Sequence, residues 1–141
     1  MRSFKTFGLL LLLATGAAAA HQTEHAIAVP GAPTAKVAEL MTKALKDYPG
    51  KEGEMILVTY PPGSVDPVHR HYAHAFVYVL EGHITMALNN AKPVTLGPGQ
   101  TFYEGPEDVH TVGRNASKTE PARFVVFLLK EQDKPVLIPE H

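Results

Sequence analysis

The sequence contains no cysteine. Disulfides, thiolate metal sites, covalent haem attachment and cysteine nucleophiles are therefore excluded. It also has almost no net charge: 13 Lys and Arg against 14 Asp and Glu give −1 at pH 7. That balance offers no electrostatic case for nucleic acid or an anionic membrane as partner. There is no Gly-x-Ser-x-Gly elbow, no Gly-Lys-Ser/Thr phosphate loop and no His-Glu-x-x-His helix. After the first twenty residues no repeat or low-complexity segment occurs, and a chain of 141 residues is expected to form one domain.

What is plentiful is turn chemistry. Eleven glycines and twelve prolines, with 45% apolar and 19% charged residues, favour a turn-rich β protein over a helical one. The N-terminus stands apart. Arg2 and Lys5 precede the apolar segment Phe7 to Ala14, and Ala17 to Ala20 offer an A-x-A arrangement. This is the pattern of a signal peptide over residues 1–20, which predicts a periplasmic or secreted product. The apolar core is shorter than the roughly 20 residues a membrane span needs. No membrane association is expected after cleavage.

Residues 21–33 read as an extended arm. Thr34 to Asp47 reads as a short amphipathic helix. Val37, Leu40, Met41, Ala44 and Leu45 fall on one stripe, Thr34 can cap it and Pro49-Gly50 ends it. From Glu54 onward the pattern is strands and turns. Strands are expected at Glu54–Tyr60, Ala75–Leu80, His83–Leu88, Pro93–Leu96, Thr101–Glu104, Val109–Val112 and Arg123–Leu129. Short strands with Gly/Pro turns about every ten residues predict an all-β antiparallel sandwich or barrel. The barrel domain is expected over residues 34–133, with a tail at 134–141. Ala75–Leu80 and Phe124–Leu129 are apolar on both faces, so something must cover the outer faces: the Thr34–Asp47 helix can cover part, and a second subunit, giving a homodimer, is the favoured expectation.

The chemistry concentrates between Gly63 and Gly82. Three of the eight histidines, His69, His71 and His74, fall within six residues. His69 and His71 are two apart, so on an extended chain they face the same way. His110 follows the turn Gly105-Pro106-Glu107-Asp108. In a small antiparallel barrel it can face the first pair. Three imidazoles with open positions suit Fe, Mn, Ni, Cu or Zn. Glu104 is a candidate acid or base beside them, or a solvated strand end. Arg70 should point the other way and can pair with a carboxylate. Tyr78, Met86, Phe102 and Tyr103 read as packing, and His83 as surface. Asn115-Ala116-Ser117 fits a glycosylation acceptor, a triplet common by chance.

Gly63-x5-His69-x-His71, closing on Tyr78-Val-Leu-Glu-Gly82, resembles the first motif of the cupins. Gly99-Gln-Thr-Phe-Tyr-Glu-Gly-Pro-Glu-Asp-Val-His110 resembles their second. The resemblance implies an antiparallel cupin (jelly-roll) β-barrel with a divalent transition metal inside, held by His69, His71 and His110. It departs in both motifs: Ala75 stands where the first carries a glutamate, and in the second Gly105-Pro106-Glu107-Asp108-Val109 stands where Pro-x-Gly is usual, with Asn115 one residue late. His74, one residue before Ala75, is the candidate for the glutamate's ligand role. A site without a carboxylate would be neutral and favour Cu, Ni or Zn over Mn. The resemblance further implies a small-molecule substrate and a metal-dependent enzyme, dioxygenase-like by analogy. The alternative is a non-catalytic module that binds a metal or small ligand.

Overall fold

The computed structural model describes residues 29–140. The expected signal peptide and most of the arm at 21–33 lie outside the described residues. Ten strands are formed: β1 (Lys36–Ala44), β2 (Lys51–Tyr60), β3 (His69–Arg70), β4 (Ala73–Glu81), β5 (Ile84–Leu88), β6 (Val94–Leu96), β7 (Thr101–Glu104), β8 (His110–Asn115), β9 (Ala122–Glu131) and β10 (Ile138–Pro139). They make two five-stranded sheets, ordered β1-β2-β9-β4-β7 and β10-β3-β8-β5-β6. Every pairing is antiparallel.

The core lies between the sheets, and strand alternation builds it. In β4, Ala73, Ala75, Val77 and Val79 point inward while His74, Phe76, Tyr78 and Leu80 point outward. In β9 the inward set is Ala122, Phe124, Val126, Leu128 and Lys130. Tyr60 meets Phe124 edge to face at 4.9 Å between ring centres. Each large apolar side chain buried this way stabilises the fold by roughly 1.5–3 kcal/mol. Buried Lys130 bonds Glu52 and lies 3.2 Å from Glu54. The two carboxylates outweigh the effect of burial, and the lysine pKa is raised.

The turns follow their residues. Gly82 joins β4 to β5 at φ +67°, and a Cβ there would stand 2.4 Å from the Pro121 carbonyl oxygen, so only glycine fits. Asn89 and Asn90 turn β5 with positive φ, which asparagine tolerates.

The helix expected over Thr34–Asp47 is not formed. Its central part is the edge strand β1, paired with β2 from Lys36↔Thr59 to Ala44↔Glu52. The Val37, Leu40 and Met41 stripe is exposed rather than buried. The open edge of β2 supplies a ladder of backbone hydrogen bonds, and that tertiary context overrides a weak local preference. Pro49-Gly50 belongs to the β1–β2 turn, in which Tyr48 N–H bonds Leu45 O and Lys51 N–H bonds Tyr48 O. The expected tail also differs: β10 pairs with β3, joining Ile138 to Arg70 and Pro139 to His69.

Candidate metal centre

β3 is only two residues long, yet it sets the centre. Its His69 is the direct cross-strand partner of His110 in β8. Directly opposed residues have side chains close enough to touch. His69 Nε2 stands 3.2 Å from His110 Nδ1. His71 lies where the chain crosses from one sheet to the other, just before Tyr72, whose φ is +39°. Its Nε2 stands 3.2 Å from His69 Nε2. His69 and His110 are buried, and His71 is half-buried.

The outer nitrogens are each held. His69 Nδ1 donates to Pro67 O at 2.8 Å, and His71 Nδ1 donates to Val136 O at 2.6 Å. A carbonyl only accepts, so each ring carries a proton on Nδ1, and in its neutral form Nε2 keeps a lone pair. The remaining nitrogen of His110, Nε2, faces Met86 Sδ at 3.1 Å. Three imidazole nitrogens, all within 4.8 Å of one another, thus converge, and this group could hold a metal ion. Tetrahedral sites with bonds of about 2.0–2.1 Å have ligand–ligand edges of roughly 3.3–3.4 Å. The observed 3.2 Å separations fit.

Glu104 ends β7, opposite Ala75 of β4, and is buried. Its Oε2 is 3.3 Å from His71 Nε2 and 3.5 Å from His110 Nδ1. The centre is therefore not the neutral, all-imidazole site expected from Ala75. Burial alone would raise the Glu104 pKa; the hydrogen bond from His71 and the charges of His110 and His71 bring it below the usual value. Burial works against charge on His71 too, but Glu104 outweighs it and the pKa is raised. His69 falls to about 4, through burial first and then its imidazole neighbours.

His74 does not join the group. Alternation along β4 places it outward between the inward residues Ala73 and Ala75. There its Nδ1 meets Tyr103 Oη at 2.7 Å. Arg70 points away from the centre and pairs with Glu140. His83 is exposed, as expected; Met86 is buried but lines the cavity beside His110 rather than serving as packing alone. Asn115 is buried, its Nδ2 donating to the carbonyls of Tyr60, Pro61 and Glu120, so it fastens a loop and offers no glycosylation site in the fold.

Two residues were not foreseen. Tyr60 donates its O–H to Asp66 Oδ2, and both line a cavity of about 410 Å³ together with the three histidines. Burial, reinforced by Asp66, raises the Tyr60 pKa well above its ordinary value. Burial also raises Asp66, against the opposing hydrogen bond from Tyr60. The one available signal was position: Asp66 lies inside the first motif, and Tyr60 ends the preceding strand.

The fold and the cluster define a class, a small double-sheeted β-barrel with a histidine centre in its interior. The chain belongs to the cupin family: a family model described as a cupin domain matches residues 56–128. No curated protein matches the chain. Among solved structures, it is similar to an uncharacterized conserved protein with a double-stranded β-helix domain from Klebsiella pneumoniae. The identity is 18%, with 79% of this chain and 89% of that one covered and a TM-score of 0.58. It is similar to a cupin 2 domain-containing protein from Halorhodospira halophila at 22% identity, covering 76% and 70%, with a TM-score of 0.56. It is also similar to the DMSP lyase DddQ from Ruegeria pomeroyi at 21% identity, covering 62% of this chain, with a TM-score of 0.54; it spans only 42% of that protein. These likenesses establish the fold.

Proposed function

We propose that this protein is a metal-dependent enzyme acting on a small organic molecule. In this reading His69, His71 and His110 hold one divalent transition metal of the Fe, Cu, Ni, Zn or Mn group. The observation that carries the reading is the convergence of three imidazole nitrogens in the wall of a cavity of about 410 Å³. A bound metal supplies Lewis acidity toward a substrate oxygen. The walls supply the rest. Val58, Phe124, Val126 and Leu128 give an apolar lining that excludes water and receives a hydrocarbon body. Tyr60 and Asp66 keep a phenol O–H and a carboxyl group in the cavity wall, the pair a proton-transfer step needs. That pair supports acid–base chemistry on a polarised substrate. A lyase reaction, as named for DddQ, is one form of it.

The test has two stages. Elemental analysis after loading with each metal should give one ion per chain, lost in His71→Ala. A library of small carboxylates and carbonyl compounds is then screened for solvent deuterium incorporation and for O₂ uptake. Deuterium incorporation lost in Tyr60→Phe supports the proposal. O₂ uptake instead would favour the dioxygenase-like reaction. No stoichiometric metal under any loading condition overturns the reading.

Two further expectations belong to this proposal. Export is supported by the pattern of residues 1–20, and N-terminal sequencing of the product should begin near His21. Pairing of two copies is supported by the outer sheet face, where Phe76, Tyr78 and Tyr103 are each about half exposed.

A further inference from the structure

The geometry points to Glu104 as a fourth metal ligand, delivered by β7 from directly across the ladder to the place that Ala75 leaves open. The inference rests on the metal reading proposed above and deepens it.

The argument starts from lone pairs. His69 and His71 each commit their N–H to a backbone carbonyl. In the neutral rings, the form that binds a metal, their Nε2 atoms are therefore acceptors, and they face each other at 3.2 Å. The Glu104 Oε2 atom, also an acceptor, is aimed at this same point, 3.3 Å from His71 Nε2 and 3.5 Å from His110 Nδ1. Acceptors turned toward one another with no donor between them repel, unless a cation sits among them. One proton can serve one such contact. It cannot serve four atoms at once.

The spacing fits one centre. Four of the six edges run 3.2, 3.2, 3.3 and 3.5 Å, and the three nitrogens all lie within 4.8 Å of one another. A tetrahedron with metal bonds of about 2.0–2.1 Å has edges of roughly 3.3–3.4 Å. Glu104 is buried, and its ion-pair contacts among the described residues are His71 and His110. A carboxylate held there without lysine or arginine is costly unless it coordinates a metal.

The ladder explains how it arrives. Glu104 and Ala75 are register partners on adjacent strands, both facing inward. Ala75 presents only a methyl group, so the longer Glu104 side chain can pass over it to the histidines. The consequence for the metal is a mixed nitrogen–oxygen site bearing one negative charge, which admits harder ions than three imidazoles alone.

The test uses Co(II) and Zn(II) binding by titration calorimetry, with the Co(II) visible spectrum as an independent readout. Glu104→Gln keeps the volume and one accepting oxygen but loses the charge. It should weaken both metals by about 100-fold or more, beyond the 10–100-fold typical of groups behind the ligands, and shift the Co(II) bands. Ala75→Glu combined with Glu104→Ala returns a carboxylate from the opposite strand and should restore affinity to within about tenfold. If wild type binds one metal but Glu104→Gln leaves the Co(II) bands unchanged, Glu104 is not a ligand, while the histidine reading stands. If wild type binds no metal, both fail together. Glu104→Gln decides the matter even if the double variant does not fold.

Discussion

His69 and His110 face each other across the β3–β8 ladder, 41 residues apart in sequence and with ring nitrogens 3.2 Å apart. The proposed metal site is thus built on a cross-strand pair, and its occupancy should be coupled to the stability of that ladder. Chelator should lower the melting temperature of the metal-loaded protein. At a metal concentration about 100 times Kd, bound metal contributes about 2.7 kcal/mol. For a domain of this size that is on the order of 10 °C. His110→Ala should melt at the same temperature with and without chelator, as followed by circular dichroism. A chelator effect that survives in this variant would place the metal elsewhere.

The metal-free protein should weaken on the acid side. His69 is held neutral, its pKa lowered to about 4 by burial. As pH falls from about 6.5 toward 4 the unfolded chain takes up a proton that the native state refuses, so stability falls. The span corresponds to about 3 kcal/mol. The lowered Glu104 pKa acts in the same direction, its contribution being lost as pH falls through that lowered value. The raised His71 pKa acts oppositely: its contribution is complete below about 6.5 and lost as pH rises through the folded value. Urea unfolding of the apo protein from pH 4.5 to 8.5 should therefore show a maximum near neutrality. A flat acid limb in wild type would count against the buried neutral state of His69.

Gly113 should accept a side chain only if its neighbours give way by a few tenths of an ångström. A Cβ there would stand 3.0 Å from His110 Cε1, 3.1 Å from Asp66 Oδ2 and 3.2 Å from Tyr60 Oη. Gly113→Ala should cost about 1–3 kcal/mol through overpacking. It should also weaken metal binding, since His110 is one of the groups that must give way. Unchanged affinity together with unchanged stability would show that the wall relaxes freely.

His74→Ala should leave metal stoichiometry and affinity as in wild type, and stability within about 0.5 kcal/mol, as is usual for surface positions. Its partner Tyr103 lies on the outer face of the sheet, away from the cavity. Loss of metal on this substitution would restore His74 to the ligand set.

Phe76→Arg on that outer face should turn a dimer into a monomer in light scattering, with metal content unchanged. Phe76 packs against Tyr103 and Phe127, with ring centres 5.3 and 6.3 Å apart, in a cluster left open to solvent. A monomeric wild type would end the expectation of pairing.

Much of the barrel was legible because strand alternation and turn residues are local signals. Every strand expected from Glu54 to Leu129 is formed, with limits shifted by a few residues. His69 and His71 were legible from spacing, and His110 from its place after a turn. β1 was not, because whether its stripe buries a helical face or zips onto β2 depends on an edge that the local sequence does not reveal. Glu104 was noticed but not placed at the centre. Its role depends on lying opposite Ala75, and register between distant strands has no local signature. Tyr60 and Asp66 were missed for the same reason: each is ordinary in its own segment, and only the fold joins them.

The segment taken for a loose tail alters when the centre can exist at all. The carbonyl that orients His71 belongs to Val136, 65 residues further along, and the partner of Arg70 is Glu140, 70 residues further along. During synthesis, then, all three histidines emerge well before the piece that aims one of them. A nascent chain carries imidazoles free to grasp metals in any geometry, while the finished geometry waits for the residues around 136–140. In the proposed reading, metal capture by the ordered centre would follow the emergence and docking of residues 136–140. It would draw on the metals of whichever compartment that docking takes place in.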